Sequence, residues 1–163
     1  MASIIRYSLI ASLVVVVAFP ARAGNISGIV VGVTDGDTVT VLDRDKIRHK
    51  IRLSGIDAPE SHQAFGQKSK TNLSAMVFNR EVLAECGKQD KYRREVCKIV
   101  ADGRDINLEQ VKVRMAWWYR KYANEQPPKD REDYEVAELN AKARRLGLWN
   151  DTNPMPPWEW RKR

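Results

Sequence analysis

The stretch ISGIVVGVTDGDTVTVLDRDKIRHKIRL, residues 26–53, decides the fold. Ile26 to Val33, Thr38 to Leu42 and Ile47 to Leu53 are rich in β-branched residues. Thr34-Asp35-Gly36-Asp37 and Asp43-Arg44-Asp45-Lys46 punctuate them, so three strands joined by tight turns are expected. In the third run Ile47, Ile51 and Leu53 alternate with Arg48, Lys50 and Arg52, which predicts one face in a core and a cationic face opposite. His49 falls on the inner face, where a partly buried, hydrogen-bonded side chain is expected. In the first turn Gly36 permits a positive φ and presents two carboxylates close together.

Beyond residue 53 the apolar period lengthens. From Ala64 to Asn79 the spacing of Leu73, Met76 and Val77 predicts a helix. Glu81-Val82-Leu83-Ala84 and Val96-Cys97-Lys98-Ile99-Val100 read as hairpin arms around a polar turn, and Cys86 and Cys97 are the chain's two cysteines. Antiparallel arms bring the two sulfurs within reach, and a disulfide is expected. Leu108, Val111 and Met115 mark a second helix, capped by Asp105 or Asn107, and a third is expected from about Asp130 to Leu146 with Gly147 as the residue just past its end. Pro154, Pro156 and Pro157 are expected to end regular structure ahead of a basic, Trp-rich tail. The order βββαββαα matches an α+β fold, a five-stranded OB-type Greek-key β-barrel with three α-helices, a layout that often hosts oligonucleotides.

The composition agrees with one such domain. There are 163 residues, 43% hydrophobic and 30% charged, with 28 Lys plus Arg against 21 Asp plus Glu. The net charge of +7 favours a polyanionic partner, and short apolar runs exclude a multi-span membrane protein. Residues 1–23 read as a cleaved signal peptide: Arg6 precedes an apolar run from Ser8 to Phe19, and Ala21-Arg22-Ala23 forms a small-x-small site. Residues 24–152 are then the folded domain and 153–163 a Pro/Trp-rich basic tail. A periplasmic or secreted chain meets an oxidising compartment, consistent with the disulfide, and no stable membrane insertion is expected after cleavage. A basic lipid-binding protein would want a basic amphipathic helix, and none is evident.

The chemistry-bearing residues cluster after the third strand. Asp57 and Glu60 flank Pro59, which stiffens the turn, and Arg52 precedes them on the strand. Carboxylates with a backbone carbonyl make a hard-oxygen set that suits calcium. Together with DGDT at 35–38, the motifs IRLSGIDAPE at 51–60, FGQKSK at 65–70, DKYRR at 90–94, ADGRDIN at 101–107 and LGLW at 146–149 resemble the thermonuclease family, the staphylococcal nuclease-like phosphodiesterases. The resemblance implies calcium-dependent hydrolysis of DNA and RNA with the 5′ oxygen leaving. It assigns Asp37, Asp57 and the main-chain carbonyl of Ala58 to the metal, Glu60 to the general base, and Arg52 and Arg94 to phosphate. Tyr92 and Tyr122 correspond to positions beside the bound nucleotide.

DKYRR departs from the family's more usual DKYGR at Arg93, which leaves open whether Arg93 or Arg94 meets phosphate. Trp117, Trp118 and Tyr119 are expected to pack in the core and line the barrel edge, Trp149 to be core, and His62 to be solvated. Phosphate and stacking contacts favour unstacked single strands, acted on by a monomer. The alternative is a noncatalytic nucleic-acid-binding OB module, against which the joint retention of Asp37, Arg52, Asp57, Glu60 and Arg94 argues.

Overall fold

The structure is a computed structural model and describes residues 24–163; the expected signal peptide, residues 1–23, lies outside the described residues. Strand β1 (Asn25–Asp35) is the spine of the barrel: its first half pairs with β5 (Glu81–Gln89) and its second with β2 (Thr38–Asp43), both antiparallel. Register shifts between Val30 and Gly32 and between Val33 and Asp35 let it bend from one neighbour to the other. β2 pairs with β3 (Arg48–Leu53), and β5 with β6 (Glu95–Ala101). A parallel pairing of β3 with β6, Ile51 opposite Glu95 through Leu53 opposite Cys97, closes the five strands. The expected OB-type α+β barrel is formed.

Val30, Val39, Val41, Ile51, Leu53, Val82, Ala84 and Ile99 fill the barrel, and Leu73 and Val77 of α1 (Gly66–Val77) pack against it. Ile47 does not join them and is 55% exposed. Its N–H donates to Asp43 Oδ1 at 2.8 Å and its carbonyl accepts from Asp43 N at 3.0 Å, so it belongs to the turn and β3 starts one residue later. His49 is half-buried with Nε2 2.7 Å from Asp43 Oδ2, as anticipated.

Helix α2 (Ile106–Lys112) follows the short strand β7 (Arg104–Asp105), and Asp105 caps it by accepting from Leu108 N at 3.0 Å. Asn107 acts elsewhere. Buried, it accepts from Ile99 N and donates to the carbonyls of Ser54 and Cys97, tying the helix to β6 and to the turn that follows β3. α3 (Pro128–Ala143) begins with proline in its first turn and stops short of Leu146, because Arg145 takes a left-handed φ of 46°. Gly147, also left-handed, opens the next 3₁₀ turn (Gly147–Asn150) rather than sitting directly past the helix. The C-terminal prolines likewise do not end regular structure, since Pro157 opens a short helix, α4 (Pro157–Trp160).

Cys86 and Cys97 lie directly opposite each other on β5 and β6, with Cα atoms 4.0 Å apart, and are disulfide-bonded. Among the described residues no helix is long and apolar enough to cross a membrane.

Candidate active site

A cleft of about 890 Å³ opens at one end of the barrel, where the β1–β2 turn, the segment after β3 and the β5–β6 hairpin tip converge. Asp35, Asp37, Arg52, Asp57, Ala58, Glu60, Tyr92, Arg94 and Tyr122 all line it. Residues up to 87 positions apart in sequence thus share one wall system, and every site residue anticipated from the motifs faces the same cavity.

Asp37 is placed by the turn that precedes β2. Its backbone N–H donates to Asp35 Oδ1 at 3.0 Å, its Oδ1 accepts from the Thr38 hydroxyl at 3.1 Å, and its Oδ2 accepts from Ala58 N at 2.7 Å. That last bond ties the DGDT turn to the end of strand β4 (Ile56–Asp57), and so fixes Asp37 beside Asp57. Gly36 is needed for proximity, not for the positive φ expected of it. A Cβ there would lie 1.8 Å from Ser69 Oγ and 2.7 Å from the Ala58 Cβ, so only glycine lets the turn approach α1. Gly66 of the FGQKSK motif does the same against the Glu60 carbonyl, which its Cβ would meet at 2.0 Å. From α2, buried Gln110 donates to the Gly36 carbonyl at 2.7 Å and accepts from Asn72 at 2.5 Å.

Arg52 extends from β3 between the two aspartates. Nη2 lies 2.7 Å from Asp57 Oδ1 and 3.3 Å from the Ile56 carbonyl, while Nη1 forms an ion pair with Asp37 Oδ1 but makes no well-directed hydrogen bond. The side chain is only 14% exposed. Burial opposes its charge, yet Asp37 and Asp57 together hold its pKa above the ordinary arginine value. Burial also raises Asp57, against the pull of Arg161 and Arg52, and burial followed by the charge of Asp37 pushes Asp35 up to about 6.

Arg94 projects from the hairpin tip. Asp90 organises that tip, accepting from the backbone N–H of Tyr92 at 2.9 Å and of Arg94 at 3.0 Å, and from Arg94 Nε at 2.8 Å. Burial would raise the Asp90 carboxyl, but the Arg94 backbone bond and guanidinium outweigh it and hold it below the usual carboxylate range. Arg93 has a left-handed φ of 63°, the conformation for which a glycine is suited, and its side chain does not line the cleft; Arg94 does. Tyr92 stands 67% exposed at the rim, under the Arg94 guanidinium at 5.5 Å, and Tyr122 meets Tyr119 edge-on at 5.1 Å.

Trp117 and Trp118 are buried in β8 (Trp117–Trp118), paired with β4, as anticipated for an aromatic run in the core. Tyr119, the next residue, lines the cleft. Its partner is Trp158 from the tail, stacked at 5.3 Å with ring planes 6° apart. The tail also delivers Arg161, whose Nη2 is 2.7 Å from Asp57 Oδ2 and whose Nη1 is 2.7 Å from Glu60 Oε1. Nothing in the sequence pattern singled out Tyr119, Gln110 or Arg161 for the site, and only long-range contact reveals their role; Asp90 had a signal, since it opens DKYRR.

Asp37, Asp57 and the Ala58 carbonyl are hard oxygen donors of the kind calcium takes, and the Arg161 guanidinium against Asp57 and Glu60 shows that this corner accommodates positive charge. Among the described residues no three His, Cys, Asp or Glu side chains form a ready-made metal cluster, so water and substrate oxygens would have to complete the shell of any ion held here.

The family described as Staphylococcal nuclease homologue matches residues 50–151. A Haemophilus influenzae protein described as an uncharacterized endonuclease is 45% identical over 134 residues, covering 82% of this chain and 71% of its own. A Shigella flexneri micrococcal nuclease is 40% identical over 162 residues, covering 93% and 89%, and the Escherichia coli protein ParB is 38% identical over 159 residues, covering 91% and 86%.

Proposed function

This chain belongs to the staphylococcal nuclease family and is a nucleic-acid hydrolase, and from that premise we propose that it is a calcium-dependent nuclease of DNA and RNA. The observation that carries the proposal is the convergence of two buried aspartates, a half-exposed glutamate and two arginines on one open cleft of about 890 Å³. Asp37, Asp57 and the Ala58 carbonyl would hold the ion. Calcium, when bound there, supplies polarisation of a phosphoryl oxygen and orientation of water.

The chain's own residues do the rest. Glu60 takes the proton of the attacking water as the new P–O bond forms. The Arg52 and Arg94 guanidiniums, both lining the cleft, bind the non-bridging oxygens, and their hold strengthens as charge builds there. The bond from phosphorus to the 5′ oxygen then breaks, and that oxygen acquires a proton from solvent. The products are a 3′-phosphate and a 5′-hydroxyl.

Tyr92 and Tyr122 flank the cleft as stacking surfaces for unpaired bases, which favours single strands. The protein acts as a monomer in the periplasm or outside the cell after removal of residues 1–23, with 24–152 as nuclease domain and 153–163 as an appended tail. The disulfide supports that location, because such bonds persist in oxidising compartments.

Purified mature protein incubated with single-stranded DNA and with RNA should release fragments with 5′-hydroxyl ends in calcium and stop in chelator. Equal turnover in chelator would refute the cation dependence, and binding without cleavage would restore the noncatalytic OB module.

A further inference from the structure

The family match ends at residue 151, and the segment beyond it turns back into the cleft. Three contacts hold it there: Gln63 Nε2 donates to the Met155 carbonyl at 2.6 Å, Pro157 is buried, and Trp158 stacks on Tyr119. Helix α4 then aims Arg161 at the acids. Nη2 is 2.7 Å from Asp57 Oδ2, and Nη1 is 3.2 Å from Asp57 Oδ1 and 2.7 Å from Glu60 Oε1. Arg52 holds Asp57 Oδ1 from the other side, so both oxygens of Asp57 are engaged by guanidiniums.

The two arginines differ in how easily they leave. Arg52 is locked inside the barrel wall, whereas the Arg161 side chain is 43% exposed and stands just past a helix of four residues. An incoming divalent cation that needs Asp57 must compete with a positive charge already placed there, and only Arg161 has open solvent to swing into.

We propose that Arg161 is a further residue of the active site, the displaceable counter-cation of Asp57 and Glu60, and that it sets the affinity of the site for its divalent cation. The inference rests on the calcium reading of the site. The tail acts as its tether: the stack of Trp158 on Tyr119 keeps the guanidinium at high local concentration, so loosening that stack weakens the competition.

Calorimetric titration of calcium into the metal-stripped mature protein, without nucleic acid, tests this directly. Arg161→Ala should bind calcium about three- to tenfold more tightly than wild type, because a half-exposed ion pair no longer has to break. Arg161→Lys, which keeps the charge but not the fork, should fall between the two. Trp158→Ala should shift affinity in the same direction as Arg161→Ala while leaving the guanidinium in place. Equal or weaker calcium binding by Arg161→Ala would overturn the proposal, the weaker case marking Arg161 as a helper of the ion. Failure of every variant and of wild type to bind calcium would overturn the calcium reading itself, and this inference with it.

Discussion

Removing the guanidinium of Arg52 should cost stability before it is ever asked to cost activity. Its partners, Asp37 and Asp57, are almost wholly enclosed, and Arg52→Ala would leave both without the cation between them. Breaking a buried ion pair from one side costs about 3–5 kcal/mol. The lower end applies here, because Asp57 retains Arg161 and Asp37 retains the Thr38 hydroxyl and the Ala58 N–H. A loss of about 3 kcal/mol is a large share of the roughly 5–15 kcal/mol that holds a domain together.

Arg52→Lys keeps the charge but reaches only one aspartate, so about half that loss is expected. The deficit has a pH signature. Arg52 favours the ionised form of Asp57, whose pKa burial raises, so its contribution there is full while Asp57 is charged and fades as Asp57 protonates; the difference from wild type must therefore shrink as pH falls. Urea unfolding monitored by tryptophan fluorescence at about pH 7.5 and about pH 5, in chelator, measures both quantities. A loss below about 1 kcal/mol for Arg52→Ala, or a deficit that grows on acidification, would show that the two aspartates are solvated enough not to need the arginine.

Three other outcomes are expected. Glu60→Gln should slow cleavage by about 10² or more. Its melting temperature should stay near wild type, because among the described residues the side-chain partner of this half-exposed carboxylate is Arg161; near-normal turnover would remove Glu60 as the base. Asp90→Ala should raise KM for a single-stranded substrate about tenfold by releasing Arg94 and the hairpin tip. Because the Asp90 carboxyl is held below its ordinary value, wild type should show the same loosening only in acid, as pH falls through that depressed value, read by exchange of the Tyr92 and Arg94 amides. Reducing the Cys86–Cys97 bond, which spans 11 residues, should cost about 3 kcal/mol and lower Tm by about 10 °C, and a nonreducing digest of the exported protein that found two free thiols would remove the premise.

Much of this protein is legible along the chain because the physics involved is short-ranged. β-branched runs broken by acidic turns specify strands wherever they fall, an aspartate three residues before Leu108 caps a helix without outside help, and two cysteines on facing arms of one hairpin can hardly miss each other. Asp37, Arg52, Asp57 and Glu60 stand at a strand end or stiff turn that the local pattern picks out, but their roles were readable only through the joint resemblance of the separated motifs to the thermonuclease family. Ile47 shows the limit, because alternation alone could not tell the last residue of a turn from the first of a strand.

What required the closed barrel is everything that depends on who meets whom. Gly36 reads as a flexible turn residue until α1 comes within touching distance of it, and Gln110 reads as one more helical polar residue until its amide reaches the carbonyl of residue 36. Arg94 was separated from Arg93 by the left-handed turn that rotates one side chain into the cleft and the other out. Arg161 lies 104 positions from Asp57, and no periodicity or spacing links them; their contact exists because the pairing of β4 with β8 sets Asp57 beside the segment that leads into Tyr119, and the tail stacked on Tyr119 folds back across it.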